Sequence, residues 1–165
     1  MEKARTTDTC ACGVGKTRTE NLTVKGRIRA EVWRNGKLVD VREADNLIVN
    51  AGKAHLAGLL VGASGYSPFR YVAVGTGTTP PSANDTALQQ EITGGGLARG
   101  EGTISVNGNV ATITKTWNVT STYGITEVGL FNASSGGTMY ARATFAVVNV
   151  ENGDKFTFTW QITMI

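Results

Sequence analysis

Histidine occurs once in the 165 residues, at position 55, and cysteine twice, at positions 10 and 12. A closed zinc site takes four nitrogen or sulfur ligands. One chain therefore cannot complete such a site, and only sharing between symmetry-related copies could supply the rest. Cysteines separated by one residue close a strained ring, and a reducing compartment disfavours disulfides. Cys10 and Cys12 are expected to be free thiols. With one histidine, no spacing supports a Ser-His-Asp or Cys-His arrangement. His55 lies among alanines and leucines and reads as a packing or surface residue. No apolar run approaches the roughly 18 residues that span a bilayer. Met1–Thr6 leads into polar residues rather than an apolar leader core, so cytoplasmic production is expected, with no membrane partner. Charged residues make up only 18%, below the roughly 25% usual in soluble domains. Either partners cover much of the surface, or the chain is a threonine- and glycine-rich monomer.

Proline is also scarce, at 3 residues, whereas glycine reaches 21. Plentiful glycine with abundant threonine suits a β protein with many tight turns. The alternation of apolar and polar residues agrees. Phe156, Phe158, Trp160, Ile162 and Met164 alternate with Thr157, Thr159, Gln161 and Thr163, which puts the two sets on opposite faces of a strand. Met139, Ala141, Ala143, Phe145 and Val147 share a face in the preceding segment, and Glu151–Asp154 supplies turn residues between them. This pattern predicts an antiparallel hairpin, preceded by a strand over Ile125–Phe131 and a turn at Ser134–Gly137. A second hairpin is predicted over Leu22–Glu43 around Asn35-Gly36, and a third over Thr103–Val119 around Asn107-Gly108. The polar face of the Leu22–Arg34 strand carries Lys25, Arg27 and Arg29 and reads as basic. Asn50 is placed to cap a helix over Ala51–Val61, and Gly62 to end it. Phe69–Val74 reads as a strand that Pro80 and Pro81 keep from continuing. Ser82–Gln90 has room for a turn of helix.

The fold class that follows is all-β, a mainly antiparallel β-sandwich or partly open barrel of eight or nine strands with one short helix. Residues 22–165 form the single β domain. Residues 1–21 are polar, lack periodicity and read as an extended N-terminal arm. Within the arm, Gly13–Thr17 resembles the end of a phosphate-binding loop. Cys10 stands where that loop requires glycine, however, and neither a preceding strand nor a following helix is present. No cofactor is expected. Net charge is only +3, and no Lys/Arg stripe alternates with aromatics, so no specific nucleic-acid partner is expected. The acids fall mostly in turns or on polar faces. Glu127, beside Val128, Leu130 and Phe131, is the exception, and a structural ion pair, either with Arg142 or across an interface, is its expected role. Two carboxylates meeting in space, as in glycosidases, is the one catalytic arrangement that the sequence leaves open; the expectation is that the protein is not an enzyme.

Four segments together resemble small structural proteins of tailed bacteriophages: NLIVNAGKAHLAGLL (46–60), YVAVGTGTTPPSANDTAL (71–88), ITEVGLFNASSGGTMYARATF (125–145) and GDKFTFTWQITMI (153–165). Within that class, size and β pattern look most like a capsid decoration, or cement, protein. The resemblance implies a β-tulip-like or sandwich fold, a homotrimer in the virion, and the major capsid protein or other virion proteins as partners. It further implies that the arm binds the shell, with Arg5, Cys10, Cys12, Lys16 and Arg18 as candidate contact residues. The alternative within the class is a tail-fibre, collar or baseplate component that binds a receptor or carbohydrate through aromatics such as Trp33, Tyr66 or Tyr123.

Overall fold

A computed structural model of the protein describes residues 21–165. Among them the chain forms ten strands and one helix: β1 (Val24–Arg34), β2 (Lys37–Asp45), β3 (Leu47–Ile48), α1 (Asn50–Leu60), β4 (Tyr71–Gly75), β5 (Gly100–Glu101), β6 (Thr103–Asn107), β7 (Val110–Asn118), β8 (Tyr123–Phe131), β9 (Met139–Val150) and β10 (Lys155–Met164). They build two five-stranded antiparallel sheets, ordered β2-β1-β10-β7-β6 and β3-β9-β8-β4-β5. The architecture is the expected β-sandwich with one short helix.

β10 is the central strand of the first sheet. Its alternation does what the sequence implies: Phe156, Phe158 and Trp160 are fully buried. Trp160 lies between Ile28 of β1 and Ile113 of β7. Val72, Val74, Val128, Leu130, Ala141 and Ala143 of the second sheet close the core from the other side. Such interleaving of two inner faces is the source of sandwich stability. The second sheet is also covered outside, where Val49, Ala73, Leu88, Phe131 and Met139 form a smaller apolar cluster.

The expected β9–β10 hairpin is not formed. β9 pairs with β8 and β3, and β10 with β1 and β7. The turn at Glu151–Asp154 carries the chain from one sheet to the other, so the two strands face each other across the core. Alternation specifies which face of a strand is buried, and both arrangements bury the same faces. The shared face on β9 is also broken. Between Ile125 and Glu127 the pairing shifts from Val148 to Thr144, so Phe145–Val147 oppose Thr126 alone. Beyond that bulge the inward residues are Val148 and Val150, and Val147 is exposed. A second shift near Phe131 moves Met139 to the outer cluster.

The Asn35-Gly36 turn has positive φ at both residues (50° and 76°), the requirement of the two-residue type I′ hairpin. In the third hairpin Asn107 still belongs to β6 and pairs with Val110, so Gly108-Asn109 form the turn, one residue later than expected. α1 starts at Asn50 with Val49 in the capping position and no side-chain cap. Tertiary bonds replace it: the Val49 amide donates to Tyr140 O (3.0 Å) and the Asn50 amide to Ala83 O (2.8 Å). Gly62, at φ 65°, ends the helix as expected. The helix lies close on β9 because residue 52 is glycine; a Cβ there would collide with the Tyr140 backbone. Ser82–Gln90 forms no helix, only a turn at residues 83–84.

Candidate functional site

Among the described residues the most connected polar group is the Glu127 carboxylate, which is fully buried. β8 presents it on the outer face of the second sheet, beside Arg142 of β9. Oε2 accepts from Arg142 Nε (2.9 Å) and Nη2 (2.7 Å) and from the Gln89 amide (3.1 Å). Oε1 accepts from the amides of Gly77 (3.0 Å) and Gln90 (2.8 Å). Arg142 Nη1 continues to Asp85 Oδ2 (3.0 Å), which also accepts from the Ser82 amide. Of the two expected pairings of Glu127, the one with Arg142 is formed, and it is the hub of a larger clasp. Burying charge is costly unless every lone pair and proton finds a partner. Here the partners are the backbone amides of the segment between β4 and β5, which has no regular structure over residues 76–90. The clasp fixes that segment against the sheet.

A second acid is held in a similar way, by fewer bonds. Asp154, in the crossover turn, accepts a two-pronged bond from Arg34 Nε and Nη2 (both 2.8 Å). It also accepts from the Glu151 amide (2.9 Å). The Arg34 fork, helped by that amide and opposed by burial, holds the Asp154 carboxyl below the ordinary carboxylate range. The sign follows. A carboxyl with a depressed folded value adds stability in full above its unfolded value and loses it as pH falls through the folded value. Wild type should therefore exceed Asp154→Asn in melting temperature near neutrality, with the gap closing in the acid range. A gap unchanged by acid in parallel thermal melts contradicts this role. Nothing in the spacing of Arg34 and Asp154, 120 residues apart, announced the pair; only the adjacency of two turns in the fold creates it.

The other ion pairs lie nearer the surface. Arg27 and Arg29 both reach Glu43 (2.7 and 2.8 Å), and Arg29 also reaches Glu31 (2.8 Å). The face expected to be basic is therefore largely neutralised by the acids of its own hairpin. Arg99 forks onto Glu91 (2.9 and 2.6 Å), lies 3.6 Å above the Phe131 ring and donates to Gly136 O (2.8 Å). His55 is buried between Tyr66 and Phe69, with centroids 4.8 and 4.9 Å away and Nε2 2.9 Å from Ser67 O. It is a packing residue. Among the described residues, no three His, Cys, Asp or Glu side chains converge as metal ligands.

Several shallow surface concavities mark the described residues, and two of them bear on function. One, of about 610 Å³, is apolar and lies between α1 and the strand ends, lined by Leu22, Val24, Leu56, Leu60 and Met164 with Lys53 at its rim. Leu22 and Leu60 are 71% and 86% exposed. The described residues begin at Asn21, next to Leu22 of this rim. The other, of about 440 Å³, sets Trp33 beside Asn35, Lys155 and Thr157. The three aromatics of the expected recognition groove do not meet: Trp33 lines this cleft, Tyr66 packs at a tilt against His55, and Tyr123 packs on the core. Arg5, Cys10, Cys12, Lys16 and Arg18, together with the Gly13–Thr17 motif, lie outside the described residues.

Among the described residues no helix is long and apolar enough to cross a membrane. No protein-family model and no curated protein matches the chain.

Proposed function

We propose that the protein is a non-enzymatic structural component of a tailed-bacteriophage particle, a capsid decoration protein that binds and stabilises the assembled shell. The observation that carries this reading is how the four phage-like segments meet. Segment 71–88 supplies Gly77 and Asp85, and segment 125–145 supplies Glu127 and Arg142. Segment 46–60 is β3 with α1, and segment 153–165 is β10 at the centre of the first sheet. The buried charged residues of these segments, Glu127, Arg142 and Asp154, are consumed in holding the fold together. The buried acids that a catalytic pair would need are saturated by arginines and backbone amides. Such a chain is built to present surface. Binding only the assembled lattice stabilises it by RT ln(1 + [L]/Kd) per site, about 2.7 kcal/mol at a hundredfold excess over Kd. Repetition over a shell makes modest contacts sufficient.

On this reading residues 1–21 attach the domain to the major capsid protein, and copies meet as a trimer. Deleting them should leave residues 22–165 with an unchanged β-type circular dichroism spectrum and abolish co-sedimentation with purified shells. A truncated protein that still coats shells removes the arm from the account. The second reading, a tail component that binds carbohydrate, rests on the Trp33 cleft. An aromatic plate beside Asn35, Lys155 and Thr157 suits a sugar ring. Glycan-array binding that is lost on Trp33→Ala would favour it over the first.

A further inference from the structure

We infer that the free edge of β6 is a self-association site, at which a second copy adds its own β6 antiparallel to make one continuous ten-stranded sheet. This two-fold contact stands independently of the virion reading and is distinct from the three-fold contact proposed there. Four sheet edges exist among the described residues, and three of them are blunted. β3 and β5 are two residues long. β2 carries Lys37, Asp40, Arg42, Glu43 and Asp45, and a bulge interrupts its pairing with β1. Charges, shortness and bulges are the usual protections of an edge. β6, Thr103-Ile104-Ser105-Val106-Asn107, has none of them: no charge, no proline, and a regular register with β7. All five residues are exposed, Ile104 by 43% and Val106 by 71%.

The register identifies the occupant. The two-residue turn Gly108-Asn109 makes Asn107–Val110 a hydrogen-bonded pair, and alternation makes Ser105–Thr112 and Thr103–Thr114 the next ones. The amides and carbonyls of Ile104 and Val106 consequently point away from β7, to the open edge. Among the described residues no other strand pairs there. Two such edges, antiparallel and related by a two-fold axis through Ser105, bring Ile104 of each copy opposite Val106 of the other. Each of these pairs can exchange both backbone bonds, so four form in all. Thr103 then lies opposite Asn107, and Ser105 opposite Ser105. Apolar residues meet apolar ones on one face and uncharged polar residues meet on the other. No like charges oppose each other. That self-matching in a single register is what an isologous contact requires, and an unrelated strand would meet it only by chance.

Ser105 gives the test. At a non-hydrogen-bonded pair the facing Cβ atoms are only about 4.5–5.5 Å apart, and the Ser105 side chain is exposed, so its replacement leaves the fold intact. The full chain is followed by sedimentation velocity over a concentration series, with melting temperature as the folding control. Wild type should show concentration-dependent dimerisation. Ser105→Lys and Ser105→Glu, each alone, should weaken it at least tenfold through like charges on the axis. An equimolar mixture of the two variants should restore a heterodimer at or above wild-type strength. Three results overturn the inference: a wild type that stays monomeric, association that Ser105→Lys leaves unchanged, or single variants that fail to pair when mixed. Association lost instead on deleting residues 1–20, and indifferent to Ser105, would place the contact in the arm and also refute it.

Discussion

Replacing Glu127 by alanine should destabilise the protein by about 4 kcal/mol, within the 3–5 kcal/mol typical of removing one partner from a buried ion pair. The loss is expected to be large because the substitution strands several groups at once. Arg142 is buried and would keep only Asp85 as a partner. The amides of Gly77, Gln89 and Gln90 would lose their acceptor. The buried Gly77 amide adds its own desolvation cost, and the part-buried amides of Gln89 and Gln90 add smaller ones. Against a total stability of about 5–15 kcal/mol, this approaches unfolding. Urea titration measures the global effect. Hydrogen exchange gives the specific signature, faster exchange at Gly77, Gln89 and Gln90 before any change at the β1–β10 ladder. A cost under about 1 kcal/mol, or exchange that rises uniformly, would mean that Glu127 is not the clasp of the 76–90 segment.

Trp160→Ala should cost about 3–5 kcal/mol, the range for truncating a buried aromatic side chain. Trp160 is the largest of the fully buried side chains and sits on the central strand of the first sheet. Its ring meets Phe158 with centroids 5.9 Å apart. Its Nε1–H donates to Asn46 Oδ1 (3.1 Å), tying the start of β3 to the core. Trp160→Phe separates the two contributions. It preserves most of the packing and loses the hydrogen bond, so it should cost about 1–2 kcal/mol. Equal effects of the two substitutions in chemical denaturation would assign the role of Trp160 to the hydrogen bond alone.

Strand faces were legible because burial and period two go together. Phe156, Phe158 and Trp160 declare their own core side, and Asn35-Gly36 declares its own turn. The partner of a strand was not legible from the same signal. Glu151–Asp154 reads as a turn whether the chain reverses within a sheet or crosses to the other one, so the same residues fit the expected hairpin and the β9–β10 crossover that forms. Phe145–Val147 keep alternating in sequence while a bulge rotates them out of phase in space. Asn50 has the chemistry of a cap, but the bonds from Val49 and Asn50 to Tyr140 and Ala83 decide where the helix begins. Of the polar clasp, Glu127 and Arg142 were visible as a charged pair set within apolar strands. Asp85 and the amides of Gly77, Gln89 and Gln90 were not, because an irregular segment carries no periodicity to say which way its amides point. Ile104 and Val106 look like ordinary strand residues until the sheet order leaves β6 at an edge.

The proposed shell-covering role is tested most directly by counting the chain in purified particles against the major capsid protein by quantitative mass spectrometry. The account predicts a ratio near one to one. A handful of copies per particle would contradict it in favour of a tail component, and absence from the particle would remove the virion reading altogether.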